Sequence, residues 1–131
     1  MLILNSDIVT INKPLSEVMN FITVLNNTGQ LMPDQIINWA GDNDTCSYTI
    51  KGMADITMKV KERSDKNMLI ESTSDKPFAF TLNYILSETP EGCTFQIVFE
   101  GDVNPFLKMM VEKPLGNLFN FMVKQLPKKV V

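Results

Sequence analysis

Histidine is absent from this chain of 131 residues, and that absence excludes more than any residue present. Without it the common zinc, copper and haem ligand sets cannot be assembled, and neither can a His-based nucleophilic triad. Arginine is nearly absent: Arg63 stands alone among twelve basic residues. Forked guanidinium contacts dominate the reading of phosphates and base edges, so a chain with one Arg and a net charge of −3 is not expected to bind nucleic acid. The lysines are scattered, apart from Lys128 and Lys129 at the tail and the alternating pair Lys59 and Lys61, which reads as the solvated face of a strand.

Cysteine is scarce too. Cys46 and Cys93 do not make a disulfide framework, and their spacing fits no zinc pattern. No stretch approaches the roughly 20 apolar residues of a membrane-spanning helix. The opening MLILNSD is too short in apolar residues for the core of a signal peptide. There is no glycine-rich phosphate loop, no pair of carboxylates at catalytic spacing and no Ser-Lys motif. The glycines fall at turns or beside Pro114. The expectation is a single domain over residues 1–131, soluble, reduced and cytoplasmic, without metal, cofactor or stable membrane insertion. A chain of this length buries about two thirds of its unfolded surface, enough for a core without staples.

What is plentiful is methionine and phenylalanine, with nine and eight residues in a composition otherwise ordinary at 44% hydrophobic and 21% charged. Met fills gaps in cores and serves at adaptable binding surfaces. The order of elements follows from period and punctuation. Leu2 to Asn12 is β-branched without a helical period and reads as a strand. KPLSEVMNFITVLNN then changes period: Val18, Phe21, Ile22 and Leu25 fall at i, i+3, i+4 and i+7 behind Pro14, and Asn26 and Asn27 close the helix. Thr28 to Met32 allows one more short turn before Pro33.

From Gln35 onward six strands are separated by short turns: QIINWAG, TCSYTIK, ADITMKVKER, MLIESTS, FAFTLNYILSET and CTFQIVFEGD. Short connections predict antiparallel hairpins between sequence neighbours. Period two places Ile56, Met58 and Val60 on one face, with Phe80, Leu82, Tyr84 and Leu86, with Phe95, Ile97 and Phe99, and with Cys46, Tyr48 and Ile50 on theirs. In the first strand Ile8, Val9 and Ile11 spread over both faces. A sheet apolar on one face needs a cover.

PFLKMMVEKPLGNLFNFM, Pro105 to Met122, is the only element long enough to supply it. Phe106, Leu107, Met110, Val111, Leu115, Leu118, Phe119, Phe121, Met122 and Leu126 fill about half of its circumference, with Lys113, Asn117, Asn120 and Lys124 opposite. Asn104 reads as its cap and Pro105 as its first residue. Pro114 predicts a kink, or a short helix running into a longer one.

This order, strand, two short helices, six antiparallel strands and a long C-terminal helix, resembles the helix-grip fold of the START and Bet v 1-like (SRPBCC) superfamily, which includes polyketide cyclases and lipid-transfer domains. VTINKPLSEVMNFI is similar to its strand-Pro-helix opening and NPFLKMMVEKPLGNLFNFMVKQL to its closing helix. The resemblance covers essentially the whole chain. It implies an α+β fold with a seven-stranded antiparallel sheet wrapped around the last helix and an apolar cavity between them. In such a sheet the strands of Cys46 and Cys93 are not neighbours, which implies two free thiols.

The candidate lining of that cavity is the inward set Trp39, Tyr48, Met58, Tyr84, Phe95, Phe99, Phe106 and Met110. The same residues would equally fill a core at normal density. A buried Tyr hydroxyl needs a partner, which a ligand or cavity water can supply. Trp39 is ambiguous, because Ile36 and Ile37 point to opposite faces. Glu62 and Asp7 are the only acid/base candidates by parity, and Glu62 adjoins a turn, so no catalytic residue is assigned. The leading expectation is non-enzymatic binding of a small hydrophobic or lipid-like molecule. The alternatives are a polyketide cyclase-like enzyme and a protein-interaction module with a vestigial cavity.

Overall fold

A computed structural model describes residues 1–130. Strand β1 (Leu2–Asn5) and strand β2 (Val9–Ile11) lead into helix α1 (Leu15–Ile22) and a 3-10 helix (Leu25–Leu31). Strands β3 (Ile36–Gly41), β4 (Thr45–Ile50), β5 (Ala54–Arg63), β6 (Asn67–Ser72), β7 (Phe80–Thr89) and β8 (Gly92–Gly101) follow, and helix α2 (Pro105–Lys129) closes the chain. The lateral order is β1-β8-β7-β6-β5-β4-β3, antiparallel throughout, with β2 also paired to β8. The sheet is therefore seven strands wide, its first strand broken in two. With α2 packed on its apolar face, this is the α+β helix-grip arrangement.

The break in the first strand has a visible cause. Asn5 pairs with Val98 and Val9 with Phe95, so β1–β2 spends one more residue than β8 over the same stretch. Ser6 sits in that bulge. Its backbone N–H donates to the Ile97 carbonyl at 2.9 Å, its hydroxyl oxygen accepts the Ile97 N–H at 2.9 Å, and its carbonyl accepts from the Gln96 side chain at 3.1 Å. The shift of register turns Ile8 outward and Ile11 inward, which is why the alternation expected of one strand fails there.

A second irregularity lies in β3. Asn38 adopts φ +59, in the left-handed region that Asn tolerates, and the register shifts between Ile37 and Ala40. A third register shift lies between Val60 and Glu62 on β5, and elsewhere the period holds. Phe80, Leu82, Tyr84 and Leu86 are buried, as are Phe95, Ile97, Phe99, Cys46, Tyr48, Ile50, Ile56 and Met58. On the outer face Lys59 and Lys61 reach the same Glu71 carboxylate at 3.7 and 3.9 Å. Arg63 has a structural role: it donates to the Thr23 carbonyl at 3.1 Å and the Asn43 carbonyl at 2.6 Å, and pairs with Asp44 at 2.9 Å. It thereby ties the end of β5 to the exit of α1 and to the β3–β4 turn.

Helix α2 begins where the cap predicts, the Asn104 side chain accepting from the Leu107 N–H at 2.9 Å with Pro105 next in line. It runs as one helix of 25 residues through both Pro114 and Pro127 rather than as two. Its buried residues are Val111, Leu115, Leu118, Phe119, Met122, Val123 and Leu126. The half-circumference stripe read from the sequence is too wide. Phe106 is 71% exposed, Met110 58% and Phe121 39%, and all three lie on one flank with Lys113 and Asn117. That flank sits about 100° around the helix from the seam Leu107–Val111–Leu115–Leu118. Hydrophobic character alone does not distinguish a seam from its flank.

Candidate functional site

The space between α2 and the sheet has two parts. The deep part, bounded by Tyr48, Ile56, Phe80, Leu82, Phe99 and Phe119, holds only about 20 Å³ of free volume. That is room for about one water molecule. The outer part is a groove of about 490 Å³ along the exposed flank of α2, within the range of small-molecule pockets. Its helix wall is Leu107, Met110, Val111, Lys113, Leu115 and Leu118; the facing wall comes from Ile36 on β3, the β4–β5 turn with Lys51 and Met53, and Pro77 and Phe78 ahead of β7. Ile50, Met53, Pro77, Phe78, Leu115 and Leu118 border both parts and separate the groove from the filled interior.

The deep part is filled by aromatic rings. Phe99 lies 5.8 Å from Phe80 and 5.5 Å from Phe119 in stacked pairs, and meets Phe78 edge-on at 6.1 Å. Tyr84 meets Phe95 edge-on at 5.8 Å. Both buried tyrosine hydroxyls find partners within the protein. The Tyr84 hydroxyl and the Thr28 hydroxyl lie 3.3 Å apart, and the Tyr48 hydroxyl donates to the Met58 sulfur at 3.9 Å. Burial raises both phenols above their ordinary range, so both stay protonated.

The candidate residues therefore divide. Tyr48 and Phe99 border the small inner void, and Met110 lines the groove. Met58, Tyr84 and Phe95 are packed core residues that line neither space. Trp39, re-aimed by the β3 bulge, stacks on Tyr48 at 5.4 Å, and its Nε1–H donates to Asn26 Oδ1 at 2.8 Å. A Cβ added to Gly29 would lie 2.7 Å from the Trp39 ring, so glycine lets the indole close down on the 3-10 helix. Phe106 points away from the sheet into solvent, because it lies on the outer flank of α2. Glu62 is exposed beyond a bulge between Val60 and Glu62. Asp7 is exposed and pairs with Lys124 at 3.5 Å. Neither carboxylate lines the groove.

Sequence reasoning missed the groove's facing wall. Met53 is an apolar residue in the β4–β5 turn, out of phase with β5, whereas Phe78 keeps the parity of Phe80 but lies ahead of the strand that the run FAFTLNYILSET places it in. An apolar residue where a turn expects polarity was the available signal.

Exposure separates packed from open positions. Met110→Ala is expected to change stability by less than about 1 kcal/mol, read from the denaturant midpoint, since this side chain borders open space. A loss of several kcal/mol, typical of a tightly packed Met, contradicts that placement.

The two thiols lie on β4 and β8, with β5, β6 and β7 between them, and both are free and buried. Burial, and secondarily the negative charge of Asp42, pushes the Cys46 thiol up to about 12; burial also raises Cys93. Titration of the denatured, unreduced protein is expected to count two thiols, and the native protein to react far more slowly. A count of zero, or fast native reaction, contradicts this arrangement. Among the described residues no three or more Cys, Asp or Glu side chains gather as metal ligands, and no helix is long and apolar enough to cross a membrane.

No protein-family model matches the chain, and no curated protein sequence matches it. Solved structures do. The protein TTHA0849 of Thermus thermophilus superposes with a TM-score of 0.76 at 11% identity, covering 98% of this chain and 97% of that one. The XoxI protein of Bacillus cereus gives 0.72 at 11% identity over 99% and 96%, and CV1439 of Chromobacterium violaceum 0.69 at 13% over 99% and 98%. At such identities the likeness shows a shared fold and nothing of activity.

Proposed function

We propose that this chain is a small START/Bet v 1-like domain that binds a hydrophobic or lipid-like molecule without transforming it. The binding place is the groove between the first half of α2 and the turns of the sheet, not the filled interior. The observation that carries this reading is the 490 Å³ groove itself, walled by Ile36, Met53, Phe78, Leu107, Val111 and Leu115. Few polar groups interrupt that wall, as in small-molecule sites.

A second reading, a protein-interaction module, draws support from the nearly closed interior and from Phe106 and Met109, exposed by 71% and 87% just outside the groove. Native mass spectrometry of the protein purified from its own host, followed by lipid extraction, separates the two. Ligand binding predicts a fraction of the protein carrying an added mass that an organic solvent extracts. A bare chain mass throughout favours the interaction module.

A further inference from the structure

The charges around the groove are one-sided. Lys51, in the β4–β5 turn, and Lys113, on α2, both line it, with Gln35 and Asn117 as the remaining polar side chains, and no Asp or Glu does. Elsewhere on the surface Lys59 and Lys61 pair with Glu71, Arg63 with Asp44 and Lys124 with Asp7, while the other lysines outside the groove, like the two in it, stand without an ion pair among the described residues. Lys51 and Lys113 have no ion pair among the described residues, although Glu112 adjoins Lys113 in sequence. Two unpaired ammonium groups stand on opposite walls of a groove whose floor is apolar.

A lysine stem lies along apolar surface while its charged head stays in water. A neutral hydrocarbon in this groove would leave both heads facing only solvent. An amphiphile with an anionic head would lay its chain on Met53, Phe78 and Leu115 and bring its charge to the Lys pair. We infer that the groove selects a single-chain amphiphile with an anionic head, a carboxylate or a phosphate monoester, held between Lys51 and Lys113. This inference rests on the groove being the binding site.

Isothermal titration of the full chain with three ten-carbon probes tests it: sodium decanoate, n-decanol and decyltrimethylammonium. Decanoate is expected to bind between about 2- and 10-fold more tightly than n-decanol, as two exposed ion pairs allow, and the cation more weakly than either. The preference should shrink as salt is raised. In the variant with Lys51→Met and Lys113→Met together, the ratio of decanoate to n-decanol affinity should fall to about one or below, whatever the added apolar surface does to both. Equal binding of the three probes, or an undiminished decanoate preference in the variant, overturns the inference and leaves the groove as a general hydrophobic site. Failure of all three to bind overturns the ligand-binding reading as well. An anionic lipid engaged only in vesicles of phosphatidylglycerol, with no binding of soluble decanoate, also contradicts it, since a bilayer surface would then be the partner.

Discussion

Phe99→Ala is expected to lower stability by about 3–5 kcal/mol, the cost of deleting a large aromatic from a well-packed site. Phe99 is 2% exposed and is the shared member of three ring pairs, with Phe78, Phe80 and Phe119. The last of these is a direct link between the sheet and α2. Its ring also covers Gly101, where an added Cβ would come within 2.5 Å of it. Truncation would open a cavity continuous with the existing 20 Å³ void, and the surrounding rings are too stiff to close it. The measurement is a denaturant titration with the midpoint and slope both fitted. A loss under about 1 kcal/mol would show that the interior is loose, and the distinction between filled depth and open mouth would fail.

Gly92→Ala is expected to cost about 3 kcal/mol, at the upper end of what overpacking does. A Cβ there would lie 2.1 Å from the Ile11 carbonyl oxygen and 2.9 Å from both the nitrogen and the oxygen of Lys13. These are backbone atoms, so no rotamer change relieves the contact. Accommodating the methyl would pull β2 off the start of β8, where Ile11 pairs with Cys93, and would displace the chain leading into α1. Gly116→Ala is the matched control. Nothing lies within 4 Å of its added Cβ, and the residue is inside α2, so alanine should stabilise by roughly 0.5–1 kcal/mol through helix propensity. Opposite signs for one chemical change would locate the close approach at β2–β8. Equal effects would contradict it.

These positions show where sequence suffices and where it does not. The strand order from β3 to β8 is legible because every connection is short, which leaves antiparallel pairing as the economical choice. The inward faces of β7 and β8 are legible because the alternation of Phe80, Leu82, Tyr84 and Leu86 against Thr81 and Asn83 is unbroken. The bulges at Ser6 and Asn38 are not, since a bulge is defined by two strands and only one is read at a time. Trp39 follows from that: its neighbours Ile36 and Ile37 cannot tell the side of a strand that shifts register after them. Phe106 and Met110 are both apolar on one flank of α2, yet only Met110 lines the groove. Whether a flank is buried depends on how far the opposing turns reach, and those turns, with Lys51, Met53 and Phe78, build the groove.

On the proposed function a ligand lies in the groove and not in the depth of the sheet. Intermolecular NOEs between sodium decanoate and the methyl groups of selectively labelled protein report that position. Groove binding gives contacts from the alkyl chain to Ile36, Met53, Leu107, Val111 and Leu115, and none to Met58, Leu82 or Ile97. Contacts to Met58, Leu82 and Ile97, or no contacts at saturating decanoate, would contradict it.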